Sequence, residues 1–309
     1  MTNSITKELR LLGKSPEIAR VRKAIKAAAK VDNPVLLVGE PGSDKRFIAE
    51  HIHMLSERAD GPFVIIPCGA IGDTISPEKA LGDKQNLDNS MFFSAQGGTL
   101  YLERVDKMSS EMQDRLYNII DYVESFDEKK FDTRIIASVR PLSDDEEVPD
   151  VTHLKDELMQ RFARIRIHIP PLRDRKQDIP FLLTQYLEEM SAEYGKSMPT
   201  IPLEVHEACL VHSWPGNVEE LRNAVRNMVI MSPEGDLSAK HLPFFVKPNP
   251  LDFMAGMDLP SAVAEVEQYL IRRALAKYEG NQSKAARLLQ VSEAALRYKM
   301  KKYGLPSAR

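Results

Sequence analysis

The sequence has few of the residues and runs that mark several classes of protein. Its 309 residues include two cysteines, Cys68 and Cys209, which are far apart and lack metal-ligand spacing. This excludes a disulfide-rich secreted domain and a cysteine-based metal site. No apolar run approaches membrane length, and the first residues, MTNSITKELR, lack the apolar segment of a signal peptide. We therefore expect a cytoplasmic protein with buried thiols, no metal and no membrane partner.

Charge is distributed unevenly along the chain. The net charge is −3, yet the end of the chain from residue 281 carries seven basic residues against the single acid Glu293. A basic tail on a mildly acidic body is typical of a nucleic-acid contact confined to one end. A solvated amphipathic helix would give the same charge pattern, so composition leaves both interpretations open.

Apolar runs alternate with helical patterns through the first two thirds of the chain. The predicted strands are Val35–Val38, Phe63–Ile66, Thr99–Leu102, Arg134–Ala137 and Arg164–Ile169. Helices are predicted between them, as at Arg46–Ser56 and Glu111–Val123. This alternation predicts a parallel sheet covered on both faces. From Gln177 to about Met231 the pattern is helical, interrupted by the turn residues 214–217.

The last part of the chain predicts an all-helical domain. Residues 247–260 are rich in proline and indicate a linker. Beyond it, apolar residues recur at helical spacing on one face, namely Val263, Val266, Leu270 and Ala274. Two short helices follow, the second expected from about Ser292 to Tyr303, with Gln290-Val291-Ser292 between them. This spacing is typical of a helix-turn-helix.

The stretch GEPGSDKR, which follows the apolar run VLLV, approximates a phosphate-binding loop. The expected pattern is G-x-x-x-x-G-K-[ST], with the loop amides around the phosphates. Gly39 and Lys45 fit it, but Asp44 replaces the second glycine and Arg46 replaces the hydroxyl residue. Asp44 places a β-carbon and a negative charge near the phosphates, so we expect ATP binding to be weak.

Several stretches occur in the order found in one family. They include LLGKSPEIARVRKAI, LLVGEPGSDK, AQGGTLYLERV, LKDELMQRF, IHIPPLRDRKQDI and SWPGNVEELRNAV. Over residues 11–245 the chain resembles the AAA+ domain of sigma-54-dependent transcription activators, and its end resembles their Fis-type helix-turn-helix. The resemblance implies an α/β fold, with an AAA+ P-loop parallel sheet and a helical lid subdomain, followed by an all-α helix-turn-helix domain. Because Leu11 already belongs to the AAA+ start, we expect no receiver or sensory domain in front.

The resemblance also shows where this sequence departs from the family pattern. The family's Walker B strand ends in Asp-Glu, where this chain has Glu103 and Arg104. An arginine cannot act as the general base that the glutamate provides, so we predict no catalytic residues. The resemblance implies that Arg161 is an arginine finger, with an intersubunit ion pair as the alternative role. The predicted nucleotide-binding residues are Gly39, Gly42, Ser43, Asp44, Lys45, Arg46, Glu103 and Arg161.

Other family features are replaced as well. Val139 and Arg140 stand where the family has a polar sensor, and Glu219 stands where its lid arginine contacts nucleotide. Between Cys68 and Gly97 the chain is several residues shorter than the family and lacks the G-A-F-T-G-A loop that contacts sigma-54. We therefore expect a partner RNA polymerase but no dependence on sigma-54.

Within the helix-turn-helix, residue chemistry indicates which side chains contact double-stranded DNA. Ser292, Arg297 and Tyr298 are expected to face the major groove, and the lysines to contact the backbone. Glu293 has two interpretations, a contact with a cytosine amino group or a cap on its helix. The helix from Val263 to Tyr278 resembles a dimerisation helix. The predicted DNA-binding residues are Asn281, Ser283, Lys284, Ser292, Glu293, Arg297, Tyr298, Lys299, Lys301 and Lys302.

These observations combine into one functional prediction. We expect an AAA+ α/β subdomain (1–175), a helical lid subdomain (176–246), a linker (247–258) and a helix-turn-helix domain (259–309). The predicted function is a sequence-specific transcriptional regulator, at least dimeric, whose AAA+ domain serves oligomerisation rather than hydrolysis. The alternatives are a slow ATPase, a non-hydrolysing subunit that modulates an intact AAA+ paralogue, and an architectural protein that bends DNA without sequence preference.

Overall fold

Two units make up the chain, Met1–Lys247 and Pro248–Arg309. The computed structural model describes residues 13–82, 89–125, 132–141, 154–232, 236–243, 246, 258–278, 281–303 and 305. Of the predicted linker, residues 247–257 lie outside the described residues, and the structure ends it at Asp258 because a helix already begins at Leu259. Part of the segment that replaces the sigma-54 loop, residues 83–88, also lies outside them.

A five-stranded parallel sheet forms the centre of the first unit. Its strands are β1 (Val35–Val38), β2 (Phe63–Pro67), β3 (Thr99–Glu103), β4 (Arg134–Val139) and β5 (Ile165–His168). Their order across the sheet is β2-β3-β4-β1-β5. All five predicted strands are confirmed, with ends that differ by no more than two residues. The predicted α/β class is confirmed as well.

Strand β1 shows why the run VLLV is apolar throughout. Leu36 and Val38 belong to the core on one side of the sheet, and Val35 and Leu37 belong to the core on the other side. All four side chains are at most 3% exposed. A strand that is buried on both faces has no polar alternation, and this is the usual state of a parallel sheet covered by helices.

One helix precedes β1, and others follow the strands β1 to β4. They are α1 (Pro16–Ala29), α2 (Lys45–Met54), α3 (Pro77–Leu81), α4 (Ser110–Ser125) and α5 (Asp156–Phe162). Helix α1 begins at Pro16, and the Ser15 hydroxyl accepts a hydrogen bond from the Ile18 N–H at 3.2 Å. This cap satisfies one of the amides that a helix start leaves unpaired. Helix α2 begins directly after the phosphate loop, so the loop amides lie at its amino end.

The helical segment of the first unit has its own core. Its helices are α6 (Ile179–Glu193), α7 (Leu203–Val211) and α8 (Asn217–Met231), preceded by a 3₁₀ segment at Leu172–Asp178. Trp214 lies between α7 and α8, is fully buried, and donates from Nε1 to the Cys209 carbonyl at 2.8 Å. The predicted turn at 214–217 is therefore confirmed. Cys209 and Cys68 are both buried, as expected.

The second unit consists of three helices within its described residues. They are α9 (Leu259–Lys277), α10 (Gln282–Leu288) and α11 (Glu293–Lys302). Its core contains Ile271, Ala274, Ala285, Ala286, Leu296, Met300 and Leu305. The predicted apolar face of α9 is divided, because Ala274 joins this core whereas Val263 and Leu270 remain 48% and 43% exposed. Helix α9 therefore packs against α10 and α11 through Ile271 and Ala274, and not through the whole predicted apolar face.

Candidate functional site

The phosphate loop connects β1 to α2 and ends in a left-handed residue. Asp44 has φ 63° and ψ 29° and stands immediately before Lys45, the first residue of α2. Glycine adopts this conformation freely, whereas another L-residue pays about 1–2 kcal/mol, less for aspartate than for most. The backbone thus keeps the geometry that a glycine would adopt at position 44.

Lys45 turns back onto its own loop. Its ammonium group donates to the carbonyl oxygens of Gly39 at 2.8 Å and Glu40 at 2.6 Å, and the residue is 8% exposed. Burial and the nearby positive charge of Arg104 lower the pKa of Lys45 to about 8. These two carbonyls use two of the three N–H donors of the ammonium group, and the third donor has Ser43 Oγ at 3.5 Å.

The Walker B position holds a fixed cation. Arg104 follows Glu103 with φ 58° and ψ 56°, and its N–H donates to the Ser138 hydroxyl at 3.1 Å. Its guanidinium group donates to Asp106 through Nε at 2.9 Å and Nη2 at 2.6 Å. The hydrogen bonds to Asp106 raise the pKa of Arg104. Arg104 therefore has no capacity to accept a proton from an attacking water.

The lid is fastened directly to the phosphate loop. Arg173 donates to both carboxylate oxygens of Glu40, at 2.9 and 2.7 Å, and Asn217 Nδ2 donates to the same carboxylate at 2.9 Å. The Glu219 N–H donates to the Gly42 carbonyl at 3.2 Å. These contacts lie between residues far apart in sequence, so local patterns did not predict them. They fix the position of the lid over the loop.

A cavity of about 580 Å³ lies between the loop and the lid. Its lining residues are Gly42, Ser43, Asp44, Lys45, Arg46, Phe47, Glu50, Glu103, Tyr186, Glu189, Val218, Glu219 and Arg222. All the predicted nucleotide-binding residues line it except Gly39, which lies at the end of β1, and Arg161. The structure thus brings the P-loop, Walker B and lid positions together around one space.

Arg222 is a residue of this cavity that the sequence prediction missed. It lies one helical turn after Glu219 on α8 and contacts the Glu189 carboxylate at 2.5 Å. Its guanidinium carbon lies 5.8 Å from the centre of the Tyr186 ring. Residues three apart on a helix share a face, so the spacing of Glu219 and Arg222 could have placed both in the cavity.

Arg161 lies away from this cavity. Its Nη2 contacts the Asp121 carboxylate at 3.0 Å, and its guanidinium carbon lies 4.9 Å from the centre of the Tyr117 ring. It lines a separate depression with residues that precede β1, such as Asp32 and Pro34. Within one chain, Arg161 is therefore an ion-paired residue outside the cavity between the loop and the lid.

Replacing Asp44 by asparagine should change how stability depends on pH. Burial raises the pKa of the Asp44 carboxyl from 3.8 to about 6, although Arg175 and Arg222 lower it. The folded protein then holds a proton that the unfolded chain has released, so stability falls as the pH rises from about 4 to 6. At about 1.36 kcal/mol per pKa unit, the loss is roughly 2–3 kcal/mol.

The measurement is urea unfolding of the wild type and of Asp44→Asn at pH 4 and pH 7. We expect the variant to be more stable than the wild type at pH 7 and closely similar at pH 4. Asp60→Asn, which removes an exposed carboxylate, is the matched control. A difference that is the same at both pH values would show that the Asp44 carboxyl does not titrate in this range.

In the second unit, two predicted DNA-binding side chains cap helices. The Asn281 amide oxygen accepts from the Lys284 N–H at 3.0 Å, at the start of α10. The Ser292 hydroxyl accepts from the Ala295 N–H at 3.1 Å, at the start of α11. Ser292 therefore occupies the capping role that one interpretation gave to Glu293. The Glu293 carboxylate instead lies 3.5 Å from Arg297.

The outward surface of α11 carries the remaining candidates. The Arg297 side chain is 67% exposed and Tyr298 is 70% exposed, while Lys301 and Lys302 are exposed near the end of the helix. Gln282 Oε1 accepts from Arg297 Nε at 3.2 Å. These residues present a contiguous polar and basic surface on one helix, which is the arrangement that a recognition helix requires.

Lys299 takes a position different from the expected one. Its ammonium group contacts the Glu267 carboxylate on α9 at 2.5 Å, and the Tyr303 hydroxyl donates to the same carboxylate at 2.6 Å. The hydrogen bond to Glu267 raises the pKa of Lys299. Lys299 thus connects α11 to α9 inside the unit, whereas Lys301 and Lys302 point to solvent.

Models of known families match almost all of the chain. The sigma-54 interaction domain matches residues 11–168, the AAA+ ATPase lid domain matches 173–253, and the bacterial regulatory protein model of the Fis family matches 262–303. The chain belongs to the sigma-54 interaction domain family. The resemblance found in the sequence is confirmed for the α/β domain, the lid and the helix-turn-helix.

Relatives of this family member include named transcriptional regulators. The chain is 30% identical over 315 residues to the transcriptional activator RocR of Bacillus subtilis, covering 95% of this chain and 68% of RocR. It is 31% identical over 321 residues to the regulatory protein XylR of Pseudomonas putida, covering 94% of this chain and 56% of XylR. The chain therefore spans about two thirds of one relative and just over half of the other.

Solved structures agree with this family assignment. The crystal structure of NtrX from Brucella abortus in complex with ADP superposes with a TM-score of 0.66 at 25% identity, covering 98% of this chain and 72% of NtrX. As in its relatives, transcription regulation and a Fis-type helix-turn-helix are therefore features of this family member. Among the helices of the described residues, none is both long and apolar enough to pass through a bilayer.

Proposed function

We propose that this chain is a DNA-binding transcriptional regulator whose AAA+ domain assembles the protein but does not hydrolyse ATP. The observation that carries the proposal is the presence of an arginine, Arg104, after the Walker B acid. This arginine occupies the position of the water-activating glutamate, and its guanidinium group is held by three hydrogen bonds to Asp106. A glutamate at this position would accept a proton during attack of water on the γ-phosphate, and arginine cannot.

The proposed regulator binds nucleotide weakly. The left-handed loop geometry is retained, which supports binding, and Lys45 is retained as a phosphate partner. Two features oppose it. Asp44 adds a carboxylate to the lining of the cavity, and Glu219 adds another from the lid. Repulsion between these carboxylates and the phosphates reduces affinity without abolishing the site.

The proposed regulator acts independently of sigma-54. The sequence between Cys68 and Gly97 contains no G-A-F-T-G-A motif. In the structure, this region contains the short helix α3, which ends at Leu81, and the 3₁₀ turn Phe93–Ala95 before β3 begins. With the sigma-54-contacting loop replaced, we propose that the protein acts on RNA polymerase through a different surface.

A sigma-54 deletion tests this independence. Transcription from a promoter that the protein binds directly should change when its gene is removed, and to the same extent in cells with and without sigma-54. A second promoter known to require sigma-54 serves as the control for the deletion. Loss of the regulatory effect in the deletion strain at the directly bound promoter would overturn the proposal.

Dimerisation through α9 is part of the proposed function. Val263 and Leu270 lie seven residues apart on α9 and remain 48% and 43% exposed. Such an apolar stripe on an exposed helix is suited to pairing with the same stripe of a second copy. Two paired units would place two α11 helices against the two halves of a pseudo-palindromic DNA site.

A second candidate is the conventional family function, ATP hydrolysis coupled to sigma-54. The comparisons favour it, since RocR is named a transcriptional activator and NtrX has been solved in complex with ATP as well as ADP. Lys45 and the carboxylate of Glu103 are consistent with it. The two candidates differ in phosphate release and in the result of the sigma-54 deletion.

A further inference from the structure

The outer edge of strand β5 is open in the part of the sheet that the structure describes. The strand order places β5 at one end of the sheet, where it pairs with β1. The Ile169 N–H donates to the Val38 carbonyl at 2.8 Å, so the backbone groups of the odd-numbered residues are directed toward β1. Neighbouring residues direct theirs to the opposite side. The N–H and C=O groups of Arg166 and His168 therefore point outward, where no described residue forms a hydrogen bond with them.

A groove of about 290 Å³ lies beside this edge, between β5 and helix α1. We call it the β5 groove, and its lining residues are Glu17, Arg20, Val21, Ala24, Arg166, Ile167, His168 and Pro170. Val21 and Ile167 belong to one core cluster and are at most 4% exposed, and Ala24 packs against the same cluster. A strand added beside β5 would place every second side chain against this surface, which favours apolar side chains.

The other face of β5 is basic. Ile165 and Ile167 face α1, and side chains alternate between the two faces of a strand. Arg164, Arg166 and His168 therefore share the opposite face, and all three are exposed. A strand added at this edge would have its remaining side chains on that face, next to the two arginines.

The acid of the β5 groove does not neutralise this charge. Among the lining residues the acid is Glu17, which lies 3.4 Å from Arg20 and accepts a hydrogen bond from Gln177 Nε2 at 3.2 Å. Its carboxylate thus has partners on α1 and on the segment that precedes α6. The positive charge of Arg166 is left for a group that comes from outside the chain.

A second copy of β5 is a poor partner for this edge. Pairing two copies would place the arginines of one strand beside those of the other on the same face, and like charges in neighbouring strands are destabilising. Carboxylates at those positions would instead pair with Arg164 and Arg166. The occupant that the edge fits is therefore an extended segment with acidic residues on one face and apolar residues on the other.

We propose that the outer edge of β5 binds an extended acidic segment of a partner protein as an added strand. Its carboxylates would lie beside Arg164 and Arg166, and its apolar residues would lie in the β5 groove. The backbone groups of Arg166 and His168 would supply the pairing hydrogen bonds. The inference goes beyond the proposed function, because it uses no residue that lines the nucleotide cavity or belongs to the helix-turn-helix.

The test is a fluorescence anisotropy titration of the full chain with a labelled octapeptide in which glutamate and valine alternate. One control peptide has lysine in place of glutamate, and a second has its glutamates in one block and its valines in another. We expect the alternating acidic peptide to bind at least about tenfold more tightly than either control. Equal binding of the block peptide would show attraction by general charge and would overturn the inference. Failure of the alternating peptide to bind would also overturn it, while DNA binding by the same preparation would leave the regulator proposal standing.

Arg166→Glu should reverse the charge preference of the edge. We expect at least about tenfold weaker binding of the acidic peptide and a matching gain for the lysine peptide, because opposite charges then face each other again. Lys26→Glu makes the same change of charge at an exposed residue of α1 outside the groove and is the matched control. Equal effects of the two variants would show that the net charge of the protein, and not the edge of β5, determines binding.

A proline at position 168 tests the strand pairing itself. His168→Pro removes an N–H that points away from β1, and proline is tolerated at a sheet edge in that orientation. We expect His168→Pro to weaken binding of the acidic peptide by about tenfold or more, and His168→Ala, which keeps the N–H, by less than about threefold. Unchanged binding by His168→Pro would exclude an added strand. Thermal unfolding of both variants shows whether the fold is retained, and Arg166→Glu tests the edge independently of position 168.

Discussion

The purified protein should release phosphate from ATP at the background rate. The missing general base alone accounts for a loss of about 10²–10⁴-fold relative to an active family member. A change of pH cannot restore a general base at this position, because the guanidinium group of Arg104 remains charged throughout the range in which the protein is folded. A phosphate-release assay with wild type and Lys45→Ala should give equal rates, since neither supports turnover. Release that Lys45→Ala abolishes would establish the second candidate function.

Restoring family residues should recover the chemistry only in part. In the double variant Asp44→Gly, Arg104→Glu, the glycine relieves the left-handed strain at position 44 and removes a half-buried carboxylate from the cavity. We expect nucleotide affinity to rise first and phosphate release to rise less, since Val139, Arg140 and Glu219 still differ from the family. Full recovery of hydrolysis would mean that these three positions do not matter for turnover.

Replacing Arg297 by alanine should weaken binding to the best DNA site by about 5–150-fold, or roughly 1–3 kcal/mol. The side chain is 67% exposed on α11, and its contacts with Glu293 and Gln282 are at 3.5 and 3.2 Å, long enough to be exchanged for a base edge. Guanine, with two acceptors in the major groove, is the natural partner. The loss should be confined to specific duplexes and should relax the preference at one base pair in each half-site.

Binding isotherms on specific and scrambled duplexes check this prediction. Arg287→Ala removes the same charge from the exposed surface of α10 and serves as the control. Equal loss on both duplexes would assign Arg297 to the phosphate backbone. If a fragment covering residues 259–309 bound no DNA even as a dimer, the assignment of DNA binding to this domain would be wrong.

The same isotherms, measured at several salt concentrations, distinguish lysines that contact the DNA backbone from a lysine with a structural role. Lys301→Gln and Lys302→Gln should weaken both duplexes equally and reduce the salt dependence by about one counterion per subunit. Lys299→Gln should leave the salt dependence unchanged, because Lys299 pairs with Glu267 at 2.5 Å. Its effect is expected instead in the thermal stability of the domain, through the contact between α9 and α11.

The strands and helices could be predicted because each depends mostly on nearby residues. A run such as VLLV is apolar because both faces of its strand are buried, and the turn at 214–217 contains proline and glycine. The P-loop, Walker B and lid positions could be predicted from order along the chain. Their meeting around one cavity follows from the parallel sheet, in which the ends of neighbouring strands lie at the same edge.

What the sequence did not reveal are contacts across long separations. Glu40 and Arg173 are 133 residues apart, and Glu267 and Lys299 are 32 apart, so no periodic pattern links them. The division of the α9 face had a similar cause. Apolar spacing predicts which residues share a side of the helix. Whether Ile271 or Leu270 packs against α10 and α11 depends on the shapes of those two helices.

The order of the strands has a consequence for how the chain is made. Strand β1 pairs with β4 and β5, whose residues emerge from the ribosome long after Val35–Val38. Strands β2 and β3, in contrast, pair with each other early. During synthesis the apolar segment VLLV must therefore wait without its native neighbours, at a stage when such segments are prone to aggregate. A nascent chain that stops before residue 134 should consequently need a chaperone to stay in solution, whereas one extended past residue 169 should not.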